Sequence, residues 1–134
     1  MNAAATVRAY YDALRAGDPL HPFFADGEET VKVGIGNQAL GADAIETLLT
    51  EQTETTAAWE VDSRDLRVTE HDSFAHFFDE VYMGWASLPK NIRYGFETRW
   101  TGTLVPGEDG DENWQFVSMH VSTPARSANA GGGR

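Results

Sequence analysis

Two alternating stretches near the C-terminus constrain the fold more than any other feature. Arg93 to Val105 reads Arg-Tyr-Gly-Phe-Glu-Thr-Arg-Trp-Thr-Gly-Thr-Leu-Val, and Asn113 to Thr123 reads Asn-Trp-Gln-Phe-Val-Ser-Met-His-Val-Ser-Thr. Both are rich in aromatic, β-branched and Thr residues, and Pro106 to Glu112 between them carries Pro, Gly and Asp, so the pattern predicts a long β-hairpin. Alternation puts Glu97, Arg99, Thr101 and Thr103 on one face of the first arm and Thr98, Trp100, Gly102 and Leu104 on the other. Folding the hairpin about the middle of its loop sets Arg99 across from Met119, with Val117 and Val121 on the same face. Trp100, Phe116, Ser118 and His120 then face the opposite way.

A chain of 134 residues is expected to form one domain. Its formal net charge of -11 disfavours nucleic acid and anionic membrane surfaces as partners, because both need a basic footprint. Lys32 and Lys90 are the only lysines. An acidic surface so poor in lysine suits a protein kept soluble in high salt, which predicts a halophilic source. With no cysteine, disulfides and Cys-based zinc sites are excluded, and the spacing of His21, His71, His76 and His120 does not suggest a metal site. No cofactor is expected. Without a signal-like or membrane-spanning stretch, the reading is a cytoplasmic protein.

Upstream, Val7, Tyr10, Tyr11 and Leu14 fall on one face of a helix that Gly17 stops. Pro19 to Gly27 predicts a short helical turn, with Phe23 and Phe24 as plugs over the core. Val31, Val33 and Ile35 form a short strand, and Gly41 to about Ala57 a second helix through Ile45, Leu48 and Leu49. Trp59 and Val61 differ in parity from Leu66 and Val68, which implies a bend near Ser63 to Asp65. Ala75, Phe77, Asp79, Val81, Met83 and Trp85 share one face of the next strand, which turns at Leu88-Pro89 into the hairpin. The fold class is α+β over residues 1–124, with helices on one face of a curved antiparallel sheet and a flexible tail over 125–134.

Several of these pieces resemble one family. The first helix, the Phe23-Phe24 turn, Val31-Lys32-Val33, Gly41-Ala42-Asp43-Ala44-Ile45 and the closing Trp114-Gln115-x-Val117-x-x-His120-x-Ser122 look like the SnoaL-like branch of the nuclear transport factor two superfamily. Glu97-Thr98-Arg99 and the closing strand are also similar to the association domain of calcium/calmodulin-dependent protein kinase. The resemblance implies a cone-shaped, curved antiparallel sheet wrapped around the N-terminal helices, with a pocket at its open end and dimerisation through the outer sheet face. It also puts Arg99 where the kinase domain has a pocket arginine, and apolar Val121 where that domain has another. Fold alone does not fix chemistry in such a family.

The residues support three readings. In the first, the pocket binds a small apolar or amphipathic molecule lined by Tyr11, Trp59, Phe77, Asp79, Trp85, Glu97, Arg99 and Met119, with Asp79 and Arg99 as polar handles. In the second, an isomerase, dehydratase or cyclase uses Asp79 or Glu97 as general base, with Arg99 or Tyr11 stabilising an oxyanion. The third is a homodimeric assembly domain without a ligand. A turn at Leu88-Pro89 opposes Asp79 to Arg99 on the inward face, where the two could orient a ligand or simply close the cone. A one-residue slip would bring Glu80 into the place of Asp79.

Overall fold

A computed structural model describes residues 2–107 and 113–124, so most of the Pro106–Glu112 loop and the 125–134 tail lie outside the described residues. Helix α1 spans Ala3–Ala16. The Asn2 side chain accepts from the Ala5 N–H at 2.8 Å to cap its start. Its end is closed by Gly17 at φ 75°, where the Gly17 and Asp18 amides return to Leu14 and Ala13. The predicted apolar stripe is its buried face: Val7, Tyr10, Tyr11 and Leu14 are all buried. A 3₁₀ turn follows at His21–Phe23, and Phe24 then packs its ring on Phe116 as a plug.

The remaining elements are β1 (Val31–Val33), β2 (Gln38–Leu40), α2 (Ala42–Thr55), β3 (Thr56–Ser63), β4 (Arg67–Glu70), β5 (Ala75–Ser87), β6 (Ile92–Pro106) and β7 (Trp114–Ser122). They form a curved seven-strand sheet in the order β2-β1-β7-β6-β5-β3, with β4 also paired to β5. The sheet is mixed, since β1 runs parallel to β7 while the other pairs are antiparallel. This α+β cone keeps its core between the concave face and the helices, around Tyr10, Tyr11, Ile45, Leu49, Phe116 and Met119. No described helix is long and apolar enough to cross a membrane.

On β5 the expected parity holds: Ala75, Phe77, Asp79, Val81 and Met83 are buried. The expected bend between Trp59/Val61 and Leu66/Val68 is the break between β3 and β4. β2 had no counterpart in the sequence reading. Its three residues pair with β1 through the Gly34–Asn37 turn.

The parity of β6 is the opposite of expectation. Thr98 and Trp100 are buried, whereas Glu97, Arg99 and Thr101 are exposed on the outer face. The cause is the connection. Ser87 pairs with Ile92 around a four-residue loop, Leu88 to Asn91, with Asn91 at φ 54°. That closure shifts the register by one residue from a turn that would oppose Asp79 to Arg99. Asp79 lies opposite Trp100, and Glu80 opposite Arg99. One residue of slip exchanges the two faces of a strand.

On β7 the register shifts again. Thr103 pairs with Ser118 but Leu104 with Phe116, so Val117 is an extra residue in the ladder. The bulge lets both Phe116 and Met119 point inward and leaves His120 outside, as expected for His120 but not for Phe116. Arg99 pairs with Ser122 rather than Met119.

Candidate functional site

At the open end of the cone, a cavity of about 460 Å³ lies between α2, the Gly34–Asn37 turn and the concave sheet face. Its sheet wall is a run of aromatic rings that register builds directly. Trp85 lies opposite Tyr94 across the β5–β6 ladder, and Phe96 follows two residues on along the same face. Trp59 enters from β3 and stacks on Trp85 with centroids 4.8 Å apart and an 18° interplanar angle. Trp85 in turn lies 5.7 Å from Phe96. The Trp59 indole N–H donates to Thr56 Oγ1 at 2.8 Å, which fixes that ring's orientation. Tyr10 and Trp100 form the floor, edge to face at 6.1 Å. Leu48, Glu51 and Gln52 of α2 border the other side. Stacked and edge-to-face rings of this kind give a stiff apolar wall suited to a flat partner.

Lys32 is the unexpected member of this lining. β1 turns Lys32 inward and leaves Val31 and Val33 half-buried against the outer side. Its residue exposure is only 7%. No hydrogen bond or ion pair joins its side chain among the described residues, and none of their fully buried polar atoms lacks a partner. The amine therefore opens onto the cavity. Burial pushes its pKa down from 10.5 to about 8. Gly34 is needed for the close approach of Asn37: a Cβ there would come 2.6 Å from Asn37 Oδ1, and 3.6 Å from Lys32 Nζ. Sequence reading missed Lys32 because only one face of a three-residue strand was weighed. A lone lysine between two valines in a chain with two lysines was the available signal.

Asp79 sits deeper, at 0% exposure and outside the cavity lining. Its Oδ2 accepts from the Tyr11 hydroxyl at 2.8 Å and from Ser63 Oγ at 2.6 Å, and its Oδ1 accepts from the Asp65 N–H at 2.9 Å. The carboxylate thus ties α1 to the bend between β3 and β4. Burial, and then the neighbouring Asp79 charge and hydrogen bond, push the Tyr11 hydroxyl far above its ordinary pKa, so it stays a proton donor to Asp79.

The other residues expected at the site are divided among three environments. Trp59 and Trp85 line the cavity. Phe77 and Met119 are core residues, at 3% and 1% exposure. Glu97 and Arg99 are on the outer face, because of the β6 register. There Arg64 joins Glu97 at 2.7 Å and Asp62 at 3.1 Å, and stacks over the Tyr82 ring at 5.9 Å. No group of His, Asp and Glu among the described residues could hold a metal ion.

Residues 3–126 match the family model of the SnoaL-like domain. The chain belongs to this family. Among solved structures, this SnoaL-like domain is similar to a nuclear transport factor 2-like superfamily protein from Salmonella enterica. That match has 15% identity and a TM-score of 0.78, covering 96% of this chain and 93% of the other. A candidate dehydratase of the same superfamily from Streptomyces avermitilis matches at 16% identity and TM-score 0.77, covering 90% and 93%. A candidate calcium/calmodulin-dependent protein kinase type II association domain from Thiobacillus denitrificans matches at 10% identity and TM-score 0.72, covering 92% and 96%. At these identities the likeness shows the fold. Among curated proteins no sequence matches this SnoaL-like domain.

Proposed function

We propose that this SnoaL-like domain binds a small, largely apolar molecule in the aromatic cavity and acts as a homodimer through the outer face of its sheet. The observation that carries the binding reading is the cavity itself. Its volume of about 460 Å³ falls in the range of small-molecule sites, and its apolar wall is held open by the Trp59–Trp85–Phe96 stack. A collapsed, side-chain-filled cone would have favoured a purely assembling domain.

The position of Asp79 supports a structural role for it rather than that of a general base. Both of its oxygens already accept hydrogen bonds, and Glu51 is the only carboxylate bordering the cavity among the described residues. The dimer reading draws on the outer face, where Phe78 and Tyr82 are half-buried and a shallow concavity runs past Val33, Thr101 and His120.

Titration calorimetry with 2-naphthamide tests the binding reading. Wild-type protein should bind, and Trp85→Ala should weaken binding at least ~10-fold, equivalent to about 1.4 kcal/mol. Equal affinity of the two proteins would remove the aromatic wall from the site.

A further inference from the structure

Lys32 is a buried cation with no counter-ion among the described residues. It is 93% buried by its 7% exposure, it borders the cavity, and no carboxylate lies within ion-pair distance of it among the described residues. This is unusual in a protein with 21 acidic residues against 10 basic ones, where a partner carboxylate would have been easy to place. Glu51 borders the same cavity from α2 but is exposed and makes no ion pair with Lys32. Removing an ammonium from water without pairing it is costly, and retaining it in an apolar wall is accounted for if the partner arrives with the ligand.

The geometry around the amine narrows the ligand. Lys32 and the Gly34–Asn37 turn make one polar corner, where Asn37 Oδ1 packs so closely on Gly34 that a Cβ there would meet it at 2.6 Å. The rest of the lining is dominated by Trp59, Trp85, Tyr94 and Phe96, whose rings favour a planar partner. We infer that the cavity takes a flat aromatic molecule bearing one anionic oxygen group, a carboxylate or an ionised phenol, which pairs with the Lys32 ammonium while the rings lie against Trp59 and Trp85. This inference rests on the small-molecule-binding reading and names the ligand class of that same cavity. Burial holds the Lys32 pKa near 8, and pairing with an incoming anion would raise it again.

The test compares two probes of nearly equal shape, 2-naphthoate and neutral 2-naphthamide, by titration calorimetry at pH 7 on wild type, Lys32→Met and Lys32→Gln. Wild type should prefer the carboxylate by ~10-fold or more. Both variants should lose that preference while still binding the amide, and amide binding itself reports that the variants are folded. Retained carboxylate preference in both variants, or equal affinity of wild type for the two probes, would overturn the role of Lys32 and leave the cavity as a binding site. Failure of wild type to bind either probe would overturn both readings together.

Discussion

Asp79 stands opposite Trp100 across the β5–β6 ladder, one residue out of step with Arg99. That single relationship sends the guanidinium to the outer face and keeps the carboxylate in the core. There Asp79 meets Tyr11, 68 residues away in sequence, in a 2.8 Å hydrogen bond. The pair joins α1 to the sheet at the point where β3 gives way to β4.

Tyr11→Phe should therefore act on stability. It removes a buried hydrogen bond to a charged acceptor, worth about 1.5–3 kcal/mol. Asp79→Ala strands the Tyr11 hydroxyl, Ser63 and the Asp65 amide together and should cost more, on the order of 4 kcal/mol. Urea denaturation of both single variants and the double variant should show a coupling energy of about 0.5–3 kcal/mol. Additive losses would mean that the two groups do not interact. Affinity for a cavity probe should stay within about threefold in Asp79→Asn, less than the ~10-fold that 1.4 kcal/mol represents.

Lys32 makes the opposite kind of prediction, because its burial opposes folding when it is charged. Its folded-state pKa of about 8 lies below the ordinary 10.5, so the unfolded chain binds the proton more tightly. The cost is complete below pH 8, falls as pH rises from 8 to 10.5, and is gone above that. Lys32→Met should thus be more stable than wild type at pH 7, by on the order of 3 kcal/mol at most. Its advantage should shrink between pH 8 and 10.5 in paired denaturation curves. A constant difference across that window would show that the amine is solvated in the native state.

Gly102 marks a place where β6 packs closely against both β5 and β7. A Cβ there would lie 2.5 Å from the Ser118 carbonyl oxygen and 2.7 Å from Phe77 Cε1. Since one of those atoms is backbone and the other belongs to a buried ring, Gly102→Ala should cost about 1–3 kcal/mol through overpacking. Thermal unfolding would register it. An unchanged melting temperature would mean that β6 and β7 separate more easily than their packing implies.

The parts of this fold that were legible in the sequence are those where local chemistry and burial agree. Val7, Tyr10, Tyr11 and Leu14 marked one face of α1, and the parity break between Val61 and Leu66 marked the sheet's bend. β6 was misread because its face depends on the number of residues in the preceding loop, and Asn91 at φ 54° allows four. Phe116 was misplaced because the Val117 bulge leaves no periodicity signal of its own. For the site, Trp59 and Trp85 were legible as inward aromatics. Lys32 was not, because a charged side chain in a three-residue strand is ordinarily solvated, and only the parallel pairing of β1 with β7 turns it inward.

The aromatic cavity at the open end of the cone is the binding site we propose. The most direct measurement is a nuclear magnetic resonance titration of ¹⁵N-labelled protein with 2-naphthamide. The expected result is movement of the Trp59 and Trp85 indole N–H signals and the Gly34, Gly36 and Asn37 amides, with Glu97, Arg99 and His120 unmoved. Movement confined to those three outer-face residues, or no movement at saturating probe, would contradict it.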